Sequence, residues 1–209
     1  TQVITRAVTE KLSRFSFDIA ERRATDRDGR PSRVTLIDKA NVFASFAFMR
    51  KVFDEVASTR SAPADHLYVD ASTLAFLNRP WDFDVIVTEN MFGDILSDLA
   101  AGLVGGMGYA PSADIGDNHA VFQPAHGSAP DIMGTGKANP TAAILSGALM
   151  VDWLATRHDL PSLADAARVI ERAVDHAFAS GSLQTCELGG SSGVREVTDA
   201  VLAAIGSRP

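Results

Sequence analysis

From Thr5 to Ala24 the apolar positions Val8, Leu12, Phe15 and Ile19 recur at intervals of three and four, which predicts an amphipathic helix with that stripe turned inward. The polar run Asp26-Arg27-Asp28-Gly29-Arg30-Pro31 has turn chemistry, and the short β-branched segment Val34-Thr35-Leu36-Ile37 behind it predicts a strand. A second helical stripe, Val42, Phe46, Met49, Phe53 and Val56, leads through Ser61-Ala62-Pro63 to a strand at Leu67-Tyr68-Val69 and a helix over Ser72 to Asn78. Phe83 to Val87 is written as a buried strand. Helical spacing from Asp94 to Leu103 then runs into a glycine cluster, Gly102, Gly105, Gly106 and Gly108, which suits a hinge or close backbone packing. Ala120-Val121-Phe122 predicts a strand, and Asn139-Pro140 opens a helix with Asn as cap and Pro in the first turn. Two further stripes predict the last two helices: Leu163, Ala167, Ile170, Val174 and Phe178, then Val194, Val197, Val201 and Ile205.

Strands alternating with helices predict an α/β fold, a layered sheet of mixed or mostly parallel strands with flanking helices. The change of texture near Gly105 places the expected boundary between residues 1–104 and 105–209. No internal repeat is visible.

Composition narrows the function. With 46% hydrophobic and 22% charged residues the chain has the content of a packed soluble protein. Nineteen basic against twenty-six acidic residues give a formal charge of −7, and no Lys/Arg run is interleaved with aromatics, so nucleic acid is not an expected partner. Apolar stretches such as Ala142 to Leu154 are too short and too interrupted to span a bilayer, so no membrane partner is expected either. The single cysteine, Cys186, forms no intrachain disulfide, and the cytoplasm is the default compartment. Thr1 leads directly into helix-like sequence without a signal-peptide pattern, from which a missing start is expected.

Three groups of residues carry candidate chemistry. Asp94 and Asp98, four apart on a predicted helix, project from one face and can share a cation. Asp70, just after a strand, can supply a third oxygen ligand, and such a set without Cys or His suits Mg²⁺ or Mn²⁺. The same spacing also fits a helix cap at Asp94 with solvated carboxylates at Asp98 and Asp70, and spacing alone does not choose. Lys39, in Asp38-Lys39-Ala40-Asn41 at a strand end, can act as a base beside a cation, although an ordinary solvated lysine looks the same. Pro124-Ala125-His126-Gly127-Ser128-Ala129-Pro130-Asp131 offers enough polar groups to cradle phosphates and ribose, or forms an ordinary turn. It is neither a Gly-x-Gly-x-x-Gly fingerprint nor a nucleophile elbow.

Taken in order, Asp38-Lys39-Ala40-Asn41-Val42, Tyr68-Val69-Asp70-Ala71, the segment Val87 to Asp98 (VTENMFGDILSD) and His126-Gly127-Ser128-Ala129-Pro130-Asp131-Ile132 resemble the 3-isopropylmalate dehydrogenase family. The resemblance runs from Val3 to Ile205 and includes Gly134 to Ala143 and Leu188-Gly189-Gly190. It implies the two-domain architecture of that family with the N-terminal half absent: a dimerisation and metal-binding part at 1–104 and a cofactor-binding part at 105–209. It implies that Asp94 and Asp98 bind Mg²⁺ or Mn²⁺ together with Asp70 of a partner subunit. Lys39 of the partner subunit completes the same site, so that Lys39 and Asp70 serve as catalytic residues in a homodimer whose active site is shared. His126, Gly127, Ser128, Ala129, Asp131, Ile132 and Asn139 correspond to the cofactor loop. A carboxylate at Asp131 implies NAD, because it accepts bonds from ribose hydroxyls and repels a 2′-phosphate.

The implied activity is NAD-dependent oxidative decarboxylation of a 3-substituted malate, a small 2-hydroxy diacid, with 3-isopropylmalate of leucine biosynthesis favoured by Asp-Lys-Ala-Asn. Phe43 to Phe48 and Gly105 to Tyr109 depart from the leucine-pathway pattern and keep a tartrate or D-malate decarboxylating paralogue open. A truncated chain that only dimerises and binds nucleotide is a further alternative.

Overall fold

The computed structural model describes residues 2–23 and 31–206, and the predicted turn at 26–31 lies outside them except for Pro31. The chain divides into two compact units, Thr1–Ala100 and Ala101–Pro209.

In the first unit, helix α1 (Arg6–Arg23) precedes strand β1 (Val34–Asp38), helix α2 (Ala44–Ala57), strand β2 (Ala64–Tyr68), helix α3 (Val69–Asn78), strand β3 (Val85–Val87) and helix α4 (Asn90–Leu103). The strands form a parallel sheet in the order β2-β1-β3, with Val34 opposite both Ala64 and Val85 and Asp38 opposite Tyr68. All five residues of β1 are buried, as expected of a central parallel strand covered on both faces. Leu36, Val34, Val85 and Val87 pack with Phe17, Phe46, Met49 and Phe53 of α1 and α2, whereas Ile37 faces Phe76 and Leu96 of α3 and α4. Alternation along β1 thus divides the core into two layers.

Of the stripe expected on α1, Leu12 and Ile19 pack partly buried against the core, but Val8 and Phe15 turn outward. Val8 is 67% and Phe15 39% exposed, while Thr9, Ser13, Ser16, Phe17 and Ala20 form the buried face. The hydroxyls make burial affordable: Thr9 donates to the Thr5 carbonyl, Ser13 to Thr9 and Ser16 to Leu12, at 2.7–2.9 Å. Val42 is also exposed and precedes α2.

In the second unit, β4 (Pro111–Ile115) and β5 (Ala120–Pro124) form an antiparallel hairpin; β4 was not expected from the sequence, although Pro111, Ala113 and Ile115 alternate with Ser112 and Asp114. Helix α5 (Thr141–His158) packs against the hairpin and against α6 (Pro161–Ala179), which in turn meets α7 (Val194–Gly206). Ala173, Val174, Ala177 and Val201 are the centre of that helical layer. Among the described residues no helix is long and apolar enough to cross a membrane.

Candidate functional site

Because β1 and β2 run parallel in register, their carboxyl ends lie side by side, where open α/β sheets leave a crevice. Lys39 follows β1, and Asp70 sits in the first turn of α3. Although thirty-one residues apart, Lys39 Nζ donates to Asp70 Oδ1 at 2.6 Å. This bond, aided by backbone N–H groups at the helix start, holds the Asp70 carboxyl below the usual aspartate range. Tyr68, which opens the segment Tyr68 to Ala71, and Arg50, which no local motif marks, complete the surroundings: Lys39 Nζ stands 5.8 Å and the Arg50 guanidinium 5.2 Å from the centre of the Tyr68 ring. The signal for Arg50 lies in the packing of α2 on the strand ends, not in the sequence.

The third strand end feeds α4. Thr88 Oγ1 donates to the Ile37 carbonyl at 2.8 Å and ties this end to β1, while Glu89 Oε1 accepts the Phe92 N–H at 2.9 Å as the helix cap. Asp94 is therefore inside the helix, and the alternative that made it a cap fails. Asp94 and Asp98 are both exposed, one turn apart, and Asn90 Nδ2 donates to Asp94 Oδ2 at 3.1 Å. Two exposed carboxylates on one helical face are suitable hard-cation donors. Among the described residues no group of three or more His, Cys, Asp or Glu gathers as a metal set within one chain. One copy brings Lys39 to Asp70, and it brings Asp94 into line with Asp98.

In the second unit the loop after β5 carries the candidate cofactor residues. His126 Nδ1 lies 2.8 Å from the Gly127 carbonyl, and Gly127, Ser128, Ala129 and Asp131 are exposed. Ala129 has left-handed backbone, φ 44° and ψ 62°, an unfavourable state for a residue with a Cβ that here turns the chain into a short 3-10 turn at Pro130–Ile132. A Cβ on Gly127 would meet nothing within 4 Å, so the backbone there is open to a ligand. Ile132 is half-buried.

Asn139 is 7% exposed, and its Oδ1 accepts the Thr141 N–H at 3.0 Å and hydroxyl at 2.7 Å. It caps α5 as the sequence predicts, with Pro140 already in helical conformation ahead of the assigned start. Its Nδ2 has no hydrogen-bond partner, a buried donor that a nucleotide acceptor would satisfy. The chemistry of the loop therefore fits a nucleotide cofactor.

Three glycines, of which the sequence did not mark Gly193, hold the loop by close backbone packing. The Gly136 carbonyl accepts the Val194 N–H at 2.9 Å, and a Cβ on Gly193 would fall 2.1 Å from that same oxygen. On Gly108, a Cβ would fall 1.9 Å from Glu187 Oε1 and 2.9 Å from the Asn139 Cβ. Close packing, one of the two roles expected of the glycine cluster, holds at that position.

The sequence profile described as isocitrate/isopropylmalate dehydrogenase matches residues 1–201. The 3-isopropylmalate/3-methylmalate dehydrogenase of Methanocaldococcus jannaschii is 43% identical over 203 residues, covering 96% of this chain and 58% of that protein. The isocitrate/homoisocitrate dehydrogenase of Thermus thermophilus is 44% identical over 208 residues, covering 98% and 58%. Among solved structures, isocitrate dehydrogenase from Methylococcus capsulatus superposes with a TM-score of 0.84 at 39% identity, covering 98% of this chain and 58% of that one. The β-decarboxylating dehydrogenase from Thermococcus kodakarensis gives 0.85 at 36% identity, covering 99% and 57%. The chain thus spans about 58% of the length of these curated relatives.

Proposed function

The chain belongs to the isocitrate/isopropylmalate dehydrogenase family, and from that premise we propose that the protein it is part of oxidatively decarboxylates a 3-substituted malate with NAD, 3-isopropylmalate first among candidates. The observation that carries this is the 2.6 Å contact between Lys39 and Asp70 at the carboxyl end of the sheet. It brings a base beside a ligand-type carboxylate in a protein whose α4 presents two more.

In this proposal Asp94 and Asp98 of one subunit and Asp70 of its partner hold Mg²⁺ or Mn²⁺, so the segment 1–104 is both the dimer contact and the metal-binding part. Two separate pairs within one copy, Lys39 with Asp70 and Asp94 with Asp98, support a site shared between subunits. Lys39 Nζ takes the proton of the substrate's 2-hydroxyl as C2 is oxidised to a ketone, and the carboxylate on C3, β to that ketone, then leaves as CO₂ with its electrons passing into the enolate of the ketone. Bound there, the cation would polarise the C2 oxygen as a Lewis acid, and the nicotinamide would accept the hydride. In the segment 105–209, His126, Gly127, Ser128, Ala129 and Ile132 line the cofactor, Asn139 Nδ2 supplies a donor, and Asp131 selects NAD over NADP by repelling a 2′-phosphate.

The relatives' names speak of isopropylmalate, methylmalate, isocitrate and homoisocitrate, all malates substituted at C3. The test is NADH production by the full-length protein on these acids, on tartrate and on D-malate, with and without Mn²⁺. Turnover on isopropylmalate that needs the metal is expected. Asp94→Asn should abolish it, and Asp131→Arg should move cofactor preference toward NADP by about tenfold or more, the equivalent of one charge-assisted contact. Absence of NADH with every acid would sink the proposal.

A further inference from the structure

The turn that carries Lys39 is braced from below by groups that the proposed chemistry does not use. Asp38, the last residue of β1, is fully buried. Arg50, on α2, grips it with a two-pronged ion pair, Nε to Oδ2 at 2.8 Å and Nη2 to Oδ1 at 2.7 Å. The same Oδ1 accepts the Ala40 N–H at 2.9 Å, and the Lys39 carbonyl accepts the N–H groups of Val42 and Phe43 at 3.0 and 3.1 Å. The backbone is therefore fixed on both sides of Lys39.

Tyr68 lies opposite Asp38 in the strand register, with the Arg50 guanidinium 5.2 Å and Lys39 Nζ 5.8 Å from its ring centre. Asp70, two residues on, receives the ammonium at 2.6 Å. Buried ion pairs add little net stability because desolvation offsets their attraction, while the planar fork of arginine fixes orientation. A lysine side chain, with four rotatable bonds, needs such fixing to present its nitrogen at one place.

We infer that Arg50 and Tyr68 are positioning residues for Lys39: Arg50 locks the turn through Asp38, and the Tyr68 ring is the ledge along which the lysine extends to Asp70. The inference rests on the proposal that Lys39 is the base of the reaction.

The experiment uses the full-length, metal-loaded protein as wild type, Arg50→Lys, Lys39→Ala and the double variant. Arg50→Lys keeps the charge and loses the fork. It should lower kcat about ten- to hundredfold, the scale of a misplaced catalytic group, with KM for substrate and NAD unchanged. In the Lys39→Ala background the same substitution should cost nothing further, since the lysine through which it acts is gone. Tyr68→Leu, which spares the buried pair, should behave in the same way, and Tyr68→Phe, which keeps the ring, should restore kcat.

A second readout needs no turnover: reductive methylation of the metal-free protein with formaldehyde and borohydride, followed peptide by peptide at one pH. Lys39 should react about two- to fivefold faster in Arg50→Lys and Tyr68→Leu, the factor corresponding to a released cation–π contact, while Lys137 keeps its rate. Equal kcat losses in both backgrounds with an unchanged Lys39 rate would overturn the inference and make the brace merely structural. Unimpaired turnover in Lys39→Ala would instead remove the base, and the methylation rates would still report whether Arg50 and Tyr68 hold that side chain.

Discussion

Individual side chains in the first unit are tied across long sequence distances, and Glu21 shows what such ties contribute. Its Oε1 accepts both the N–H and the hydroxyl of Ser61 at 3.0 Å, and Oε2 accepts Arg60 Nη2 at 2.7 Å. The backbone N–H of Ser61 is the largest cause holding the Glu21 carboxyl below the usual glutamate range. A depressed folded pKa means stability that is complete above the unfolded value, about 4.3, and is lost as pH falls through the lower folded one. Glu21→Gln should therefore cost about 1 kcal/mol at neutral pH and less near pH 2 to 3, where more of the wild-type glutamate is protonated. Urea unfolding of both proteins at the two pH values measures the difference, and an equal cost at both would dismiss the charge. Such ties are invisible in the sequence, as are the contacts of Lys39. Lys39, Tyr68, Asp94 and Asp131 stand in local motifs that the sequence marks, whereas Arg50 matters only because folding brings α2 beside the ends of β1 and β2.

Elements were legible wherever apolar spacing had no competitor. The β1 strand and helices α2, α6 and α7 lie where the pattern places them to within a few residues, because at least part of each apolar stripe is buried: Phe46, Met49, Phe53 and Val56 on α2, Ala167 and Val174 on α6, Val197 and Val201 on α7. Helix α1 was found, but its buried face only in part. A stripe of hydroxyls that bond to the preceding turn packs as closely as small apolar residues do, so Ser13 and Ser16 are buried beside the partly buried Leu12 and Ile19 while Phe15 faces out. Phe17, fully buried and stacked on Phe53 with ring centres 5.6 Å apart, anchors that face. Phe17→Ala should cost about 3–5 kcal/mol, whereas Phe15→Ala should change stability by about 0.5 kcal/mol or less. Thermal or denaturant unfolding of the two variants compares them directly, and a larger loss at Phe15 would restore the register that the sequence alone suggested. The β4 strand escaped notice for another reason: Pro111, Ala113 and Ile115 do alternate with Ser112 and Asp114, but Ile115 is the segment's single β-branched residue, and its partner β5 supplies the pairing that makes it a strand.

At the scale of the molecule, the decisive fact is that the candidate site comes in two pieces within the first unit. Asp70 is committed to Lys39 at the carboxyl end of β2, and Asp94 and Asp98 share the exposed face of α4. If the pieces meet across a twofold axis, each site takes Asp94 from one subunit and Asp70 from the other. Two inactive full-length variants, Asp70→Asn and Asp94→Asn, then complement each other. In a mixed dimer one site collects both substitutions and the other collects neither. With random assembly half of the dimers are mixed and half of their sites are intact, so co-expression at equal levels should return about a quarter of wild-type turnover. Mixing the separately purified proteins should return it only as fast as subunits exchange. A site built from a single subunit gives no recovery under either condition, because every site would then carry one substitution. Metal-dependent NADH formation by the tagged mixed dimer, isolated through a different tag on each variant, should reach about half of the wild-type rate. A rate indistinguishable from that of the two parent variants would remove the shared site and leave Asp70 as no more than the ion-pair partner of Lys39.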